Sequence, residues 1–272
     1  MNFEEYQYLL FEHHSNGVLL VTLNRPEVMN ATNATLHYEL TQVWDTIDRD
    51  DRTNVVVVTG AGDRAFSAGG DLEWISEMVG NPQKIDAVQR EASDIVYNLM
   101  SLDKPVISAI NGIAVGAGLA VALMADISVM SETAKITDGH VKLGVGAGDH
   151  AAIIWPILCG MAKAKYYLMT ADFIDGVTAE RIGLVSLCKP QEEVLTTAMK
   201  IADQLAAGSQ PAIRGTKQTL NGWMTQAKPI FENSLRMEML CFLGEDAKEG
   251  VAAIREKRKP NFPSSKGAAF KS

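Results

Sequence analysis

An α/β domain with a mostly parallel sheet, followed by an all-helical C-terminal region, is the fold class this sequence predicts. Three observations lead there. Val55-Val56-Val57-Val58 is an unbroken β-branched run, the mark of a strand buried on both faces of a parallel sheet. Strand-like and helix-like segments alternate from about residue 50 to residue 130, the order that right-handed βαβ crossovers produce. After about residue 190 the strand pattern stops, and only segments with helical spacing of apolar residues follow.

The elements can be justified in order. Tyr8–Glu12 and Val18–Leu23 are apolar and β-rich, and His14-Ser15-Asn16-Gly17 between them is a hairpin signature. Asn24-Arg25-Pro26 ends the second strand, since proline has no N–H to give a ladder. A helix is expected from about Thr35 to Asp48, with Leu36, Leu40, Val43, Trp44 and Ile47 at helical spacing. The strand at 55–58 opens into Gly60-Ala61-Gly62-Asp63, and Ala65 to Asp71 forms a second tight segment. A helix over about Gln83 to Ser101 leads to the strand Val106–Ile110. A glycine-rich turn then enters the apolar helix Gly118–Met124, and Ile127–Met130 is a further strand. Glu192–Ala207, Pro211–Asn221, Pro229–Leu243 and Asp246–Lys257 read as helices. The chain thus divides into an α/β core over 1–190, a helical region over 191–260 and a polar tail over 261–272.

Composition narrows the classes of function. With 25 basic and 33 acidic residues, the formal net charge of −8 opposes any sequence-independent grip on nucleic acid. Three scattered cysteines (Cys159, Cys188 and Cys241) match no zinc or disulfide spacing and fit a reducing compartment. Met1 to Glu12 carries Glu4, Glu5 and Glu12, the wrong charge for a signal peptide. Val106 to Ala125 is the most apolar stretch, but Ser108, Asn111 and three glycines interrupt it, so a buried strand, turn and helix are expected in place of a membrane span. A soluble, cytoplasmic protein is the expectation, with no metal site.

Two turns carry the strongest chemical signal. They are Ala65-Phe66-Ser67-Ala68-Gly69-Gly70-Asp71, and Asn111-Gly112 through Gly116-Ala117-Gly118 at a strand-to-helix junction. Glycines let each turn leave backbone N–H groups unpaired toward a cleft, and the helix adds its positive end. Two such donors converging on one oxygen would form an oxyanion hole. The same turns also serve tight packing in any parallel sheet. The rival phosphate sites are incomplete: the segment after Gly116 lacks the third glycine of a dinucleotide fingerprint, and no Gly-Lys-Ser or Gly-Lys-Thr occurs. Ser67 lies in no Gly-x-Ser-x-Gly elbow.

Over nearly its full length the chain resembles the crotonase, or enoyl-CoA hydratase/isomerase, family. The resemblance is carried by Leu23-Asn-Arg-Pro26, Asn30-Ala31, Val57-Val-Thr-Gly60, Ala65-Phe-Ser-Ala-Gly-Gly-Asp71 and Lys104-Pro-Val-Ile107. It continues in Asn111-Gly112 through Gly118, Ala125-Asp126, Ala179-Glu-Arg-Ile-Gly-Leu-Val185, Glu249-Gly250 and Glu256-Lys-Arg-Lys-Pro260. The resemblance implies a spiral of ββα turns with a helical trimerisation region, and a homotrimer or dimer of trimers. It also implies an acyl-CoA ligand, with CoA as part of the substrate and no separate cofactor. By the same resemblance the oxyanion donors fall on Gly70 and Ala117, and substrate contacts on Val28, Ala31, Ala68, Asp71, Leu72 and Gly116.

The sequence departs from its family where proton transfer should occur. The two glutamates of the family's hydratases fall on Ala120 and His140. Alanine carries no proton, whereas a histidine acts as acid or base near neutrality. Asp138-Gly139-His140 and Gly148-Asp149-His150 make His140 and Asp149 the candidate catalytic pair, with the carboxylate orienting the ring. The family's β-diketone hydrolases, which cleave C–C bonds, resemble this chain in a His and Asp nine apart ahead of a Trp-Pro, here Trp155-Pro156. A further histidine of that group falls on Ala117. His150 is an alternative to Asp149, and Glu238 lies among apolar neighbours on a helix that could reach the cleft. His13, His14 and His37 read as surface residues. Lys257-Arg258-Lys259 is either a solvated helix end or a contact for CoA phosphates from a neighbouring subunit. Three functions follow: an acyl-CoA lyase or isomerase, a C–C hydrolase of β-dicarbonyls, or a CoA-binding protein without catalysis.

Overall fold

The computed structural model of the chain describes residues 1–266. Strands β1 (Leu9–His13) and β2 (Val18–Leu23) form the expected hairpin, and α1 (Ala34–Asp48) follows, capped by the Asn33 side chain on the N–H of Leu36. Three turns of the same kind come next. The first is β3 (Val55–Gly60), β4 (Ala65–Ser67), α2 (Leu72–Met78) and α3 (Pro82–Ser101). The second is β5 (Val106–Ile110), β6 (Ile113–Val115) and α4 (Gly116–Met124). The third is β7 (Ile127–Ser131), β8 (Lys135–Thr137), α5 (His140–Leu143) and α6 (Ala151–Thr170). Short β9 (Ile174–Asp175), α7 (Gly176–Arg181) and β10 (Leu187–Lys189) complete the sheets. The C-terminal region is helical: α8 (Val194–Ala206), α9 (Gln210–Gln226), α10 (Lys228–Cys241) and α11 (Glu245–Arg255).

Each turn lays one strand in each of two sheets before a helix carries the chain back. The six-stranded sheet has the order β1-β2-β3-β5-β7-β10, and the four-stranded sheet the order β4-β6-β8-β9. Pairing is parallel except at the two edges, β1 with β2 and β8 with β9. The all-valine strand is explained by its position. Val56 and Val58 pack into the main core with Trp44 and Phe66, while Val55 and Val57 face Val194, Ala198 and Ala202 of α8. With both faces buried, alternation has no work to do.

Sequence and structure differ in instructive places. The apolar helix begins at Gly116, not Gly118. Strands β6, β8 and β9 span only two or three residues each, too few for a period of two to show. Val106 to Ala125 holds two strands, β5 and β6, and then α4, and among the described residues no helix is long and apolar enough to cross a membrane. His37 corrects the expectation of a surface residue: it is 3% exposed. Residues 267–272 of the polar tail lie outside the described residues.

Candidate active site

A cavity of about 340 Å³ lies between the spiral turns and the C-terminal helices. Its wall includes Ala68, Gly70 and Leu72 from the first glycine turn, Gly116 and Ala117 from the second, and His140, Asp149 and Glu238. Val28, Ala31 and Asp71 are not part of that wall. They belong to segments tied to the first turn: Thr32 donates to the Gly69 carbonyl at 2.7 Å, Asp71 to the Thr32 carbonyl at 2.8 Å, and Ala68 to the Met29 carbonyl at 3.0 Å. The parallel bridge between Thr32 and Gly70 uses the groups flanking Gly70. The Gly70 N–H therefore has no partner among the described residues.

Ala117 sits in the first turn of α4, where N–H groups have no partner within the helix. The residue that caps α4, Val115, offers no side-chain acceptor either. Gly118 brings the two turns together: a side chain there would overlap Ser67, so α4 rests directly on the end of β4. Ser67 is buried and donates its hydroxyl to the Asn30 carbonyl at 2.8 Å, a structural commitment.

His140 opens α5 between two left-handed glycines, Gly139 at φ +80° and Gly144 at φ +84°. The fold of the chain at Gly139 brings Asp138 back onto the ring. His140 Nδ1 donates to Asp138 Oδ2 at 2.9 Å. Its Nε2 lies 3.4 Å from Glu238 Oε1 and 3.7 Å from Asp149 Oδ2. The carboxylate hydrogen-bonded to the ring is Asp138, while Asp149 stands at ion-pair distance from Nε2. Asp149 in turn accepts from His150 Nδ1 at 2.6 Å. The Trp155 indole N–H, which can only donate, points to His150 Nε2 at 3.4 Å. His150 is fully buried and braces Asp149; it does not take Asp149's place.

Three carboxyl groups around one partly buried imidazole set the electrostatics. Burial weighs most on His140 and opposes its charge, yet the fields of Asp138, Asp149 and Glu238 and the Asp138 hydrogen bond outweigh it. His140 is raised well above an ordinary imidazole. Burial also weighs most on Asp149, but the charges of His150 and His140 and the His150 hydrogen bond hold it well below the usual carboxylate range. Burial pushes Glu238 up to about 7, with only partial relief from His140. Glu238 Oε2 and Asp138 Oδ1 are buried without a hydrogen-bond partner among the described residues. The loop before Asp149 approaches α10 so closely that a Cβ at Gly148 would lie 2.7 Å from the Glu238 side chain.

Ala120, at the position of a family glutamate, is buried on α4. Lys257, Arg258 and Lys259 are exposed, and Arg258 pairs with Glu249 and Glu256. Sequence reasoning missed His37, although it lies three residues before Leu40 and seven before Trp44, on their helical face. It did not single out Asp138 as the partner of Nδ1.

Two interleaved sheets coiled from ββα turns, with a glycine-flanked cavity against a helical C-terminal region, define the crotonase fold. The chain belongs to the enoyl-CoA hydratase/isomerase family, whose sequence profile matches residues 13–265. A crotonyl-CoA hydratase of Syntrophomonas wolfei is 33% identical, over 94% of this chain and 98% of its own length. Among solved structures, an enoyl-CoA hydratase/isomerase from Mycobacterium paratuberculosis matches with a TM-score of 0.86 at 29% identity, covering 90% of this chain and 97% of that one. A β-diketone hydrolase from Anabaena, bound to (S)-3-oxocyclohexyl acetic acid, matches with a TM-score of 0.82 at 28% identity, over 88% of this chain and 96% of that one.

Proposed function

We propose that this protein is an acyl-CoA enzyme of the hydratase/isomerase type, in which the amides of Gly70 and Ala117 polarise the thioester carbonyl and His140 handles the proton. The observation that carries this reading is the cavity wall itself: two backbone N–H groups without partners among the described residues, on turns held together at Gly118, share it with His140. Donors fixed in place before the reaction stabilise enolate charge at no reorganisation cost.

Water addition to an enoyl thioester then needs one base and one acid. Glu238 as carboxylate takes a proton from water as its oxygen bonds to Cβ. The electron pair moves through the enolate, and the His140 imidazolium supplies the proton to Cα. Transfer from Glu238 back to His140 Nε2, across their 3.4 Å contact, restores the starting state. Asp138 orients the ring, and Asp149 stays ionised beside it. His140 and Glu238 thus replace the two family glutamates, one of which is Ala120 here.

The test is the absorbance of the conjugated enoyl group in a panel of short enoyl-CoA thioesters. Its loss on addition of the protein is expected, and no turnover at any chain length sinks the proposal. A second reading, hydrolysis of a C–C bond in a β-diketone with His140 and Asp149 activating water, is favoured by the likeness to the Anabaena hydrolase. It requires release of a keto acid from cyclic diketones. Exposed Met161 and Met169 on α6 with Leu220 and Trp223 on α9 support self-association, for which we propose a trimer. Sedimentation of a monomer at micromolar concentration would contradict it.

A further inference from the structure

His37 and Glu91 form a second histidine–carboxylate pair at the same cavity, and the proposed hydration uses neither. His37 projects from α1 and is nine-tenths buried or more, at 3% exposure. Its Nδ1 lies 2.6 Å from Glu91 Oε2 on α3, and its ring centroid lies 4.9 Å from that of Trp74 on α2, tilted by 47°. One edge and one face of the ring are therefore fixed. A carboxylate only accepts, so Nδ1 carries the hydrogen; the unpartnered Nε2 accepts from a hydroxyl when the ring is neutral and donates to a ketone or hydroxyl when the ring is an imidazolium. Among the described residues nothing bonds Nε2, although the ring forms part of the cavity wall.

Asp149 lies within electrostatic reach of His37 across the same cavity, while the nearer wall on the α2 and α3 side is apolar. Ile75 and Met78, on the same helix as Trp74, and Val88 and Ala92, beside Glu91, are also in the wall and are apolar. A plain alkyl chain would cover Nε2 and leave it unsatisfied, a cost that an oxygen substituent removes. Sites built to hydrogen-bond a substrate oxygen discriminate strongly against analogues that lack it.

We infer that His37, positioned by Glu91, reads a ketone or hydroxyl on the acyl chain, so that the preferred ligand is an oxygenated acyl-CoA. This rests on the acyl-CoA reading of the cavity. The experiment is calorimetric titration of the full chain with hexanoyl-CoA, 5-hydroxyhexanoyl-CoA and 5-oxohexanoyl-CoA, none of which has a double bond to hydrate. At least one oxygenated thioester is expected to bind about tenfold tighter than the plain one or better. His37→Phe, which keeps a ring against Trp74, is expected to bring that ratio to within about twofold by weakening only the oxygenated ligand. Glu91→Ala, which frees the ring, is expected to give an intermediate ratio, and it carries the test should His37→Phe fail to fold. Equal binding of the three thioesters, or a preference that survives these substitutions, overturns the inference. The same three acyl groups offered as free acids separate the two readings. Preference among the acids without binding of any thioester means that the acyl-CoA reading fails and the role of His37 stands. Binding of neither series overturns both.

Discussion

Glu238→Gln is expected to stabilise the protein, and to do so only toward alkaline pH. The carboxyl is 4% exposed as a residue, one of its oxygens has no partner, and burial pushes it from 4.5 to about 7. At about 1.4 kcal/mol per tenfold change in proton affinity, the ionised form is destabilised by about 3 kcal/mol in the native state. The folded protein binds this proton more tightly than the unfolded chain does. Stability from this group is therefore fully present below pH 4.5, falls as pH rises toward 7, and is flat above. Glutamine keeps the shape and has no charge to bury. The variant should lie close to wild type at pH 5 and exceed it by about 2 kcal/mol at pH 8, after allowing for the loss of one carboxylate partner of His140. Guanidinium unfolding at both pH values, followed by tryptophan fluorescence, reads the difference directly. An unchanged gap between variant and wild type at pH 5 and pH 8 would refute the reasoning, because the penalty would then not be one of ionisation.

Four further outcomes are expected. His140→Ala should lower kcat on enoyl-CoA by about 10² to 10⁴ while leaving acyl-CoA binding by calorimetry largely intact. The pH profile of kcat/KM should be bell-shaped, with an acid limb near 7 from Glu238 that disappears in Glu238→Gln. Asp138→Asn removes a carboxylate that holds the proton on His140, so the alkaline limb should move to lower pH, and a fixed limb would show that Asp138 does not set it. Gly118→Ala forces α4 away from Ser67 and spreads the two glycine turns; kcat should fall by about 10² to 10³ with little change in KM, and unaltered kinetics would mean that the turns need not stay in contact.

The features legible in the sequence are those with a long or chemically distinctive signature. The Val55–Val58 run announced a strand covered on both sides, and α8 on one face with Trp44 and Phe66 on the other explains it. The four C-terminal helices keep their apolar spacing and lie within a few residues of their expected bounds. Strands β6, β8 and β9 escaped because two or three residues carry no period, and they form only because each pairs with a neighbour distant in sequence. The same distinction holds in the cavity. The two glycine turns were visible in the sequence, the family resemblance put the amides at Gly70 and Ala117, and both residues line the wall. The spacing of nine permitted the approach of Asp149 to Nε2, but the hydrogen bond of Asp138 to Nδ1 depends on the left-handed Gly139, which folds Asp138 onto the ring. Glu238 and His37 reach the cavity from α10 and α1. Their approach is tertiary, and for His37 only its place on the face of Leu40 and Trp44 hinted at burial.

The most direct test of the central claim is the infrared carbonyl stretch of a carbon-13-labelled enoyl thioester of CoA, bound to the His140→Ala variant so that turnover is suppressed. With the Gly70 and Ala117 amides donating to the carbonyl oxygen, the band should move to lower wavenumber than in buffer, and Gly118→Ala in the same background should return most of that shift. A bound thioester with its carbonyl band where it stands in water would contradict the claim that these two amides polarise the substrate.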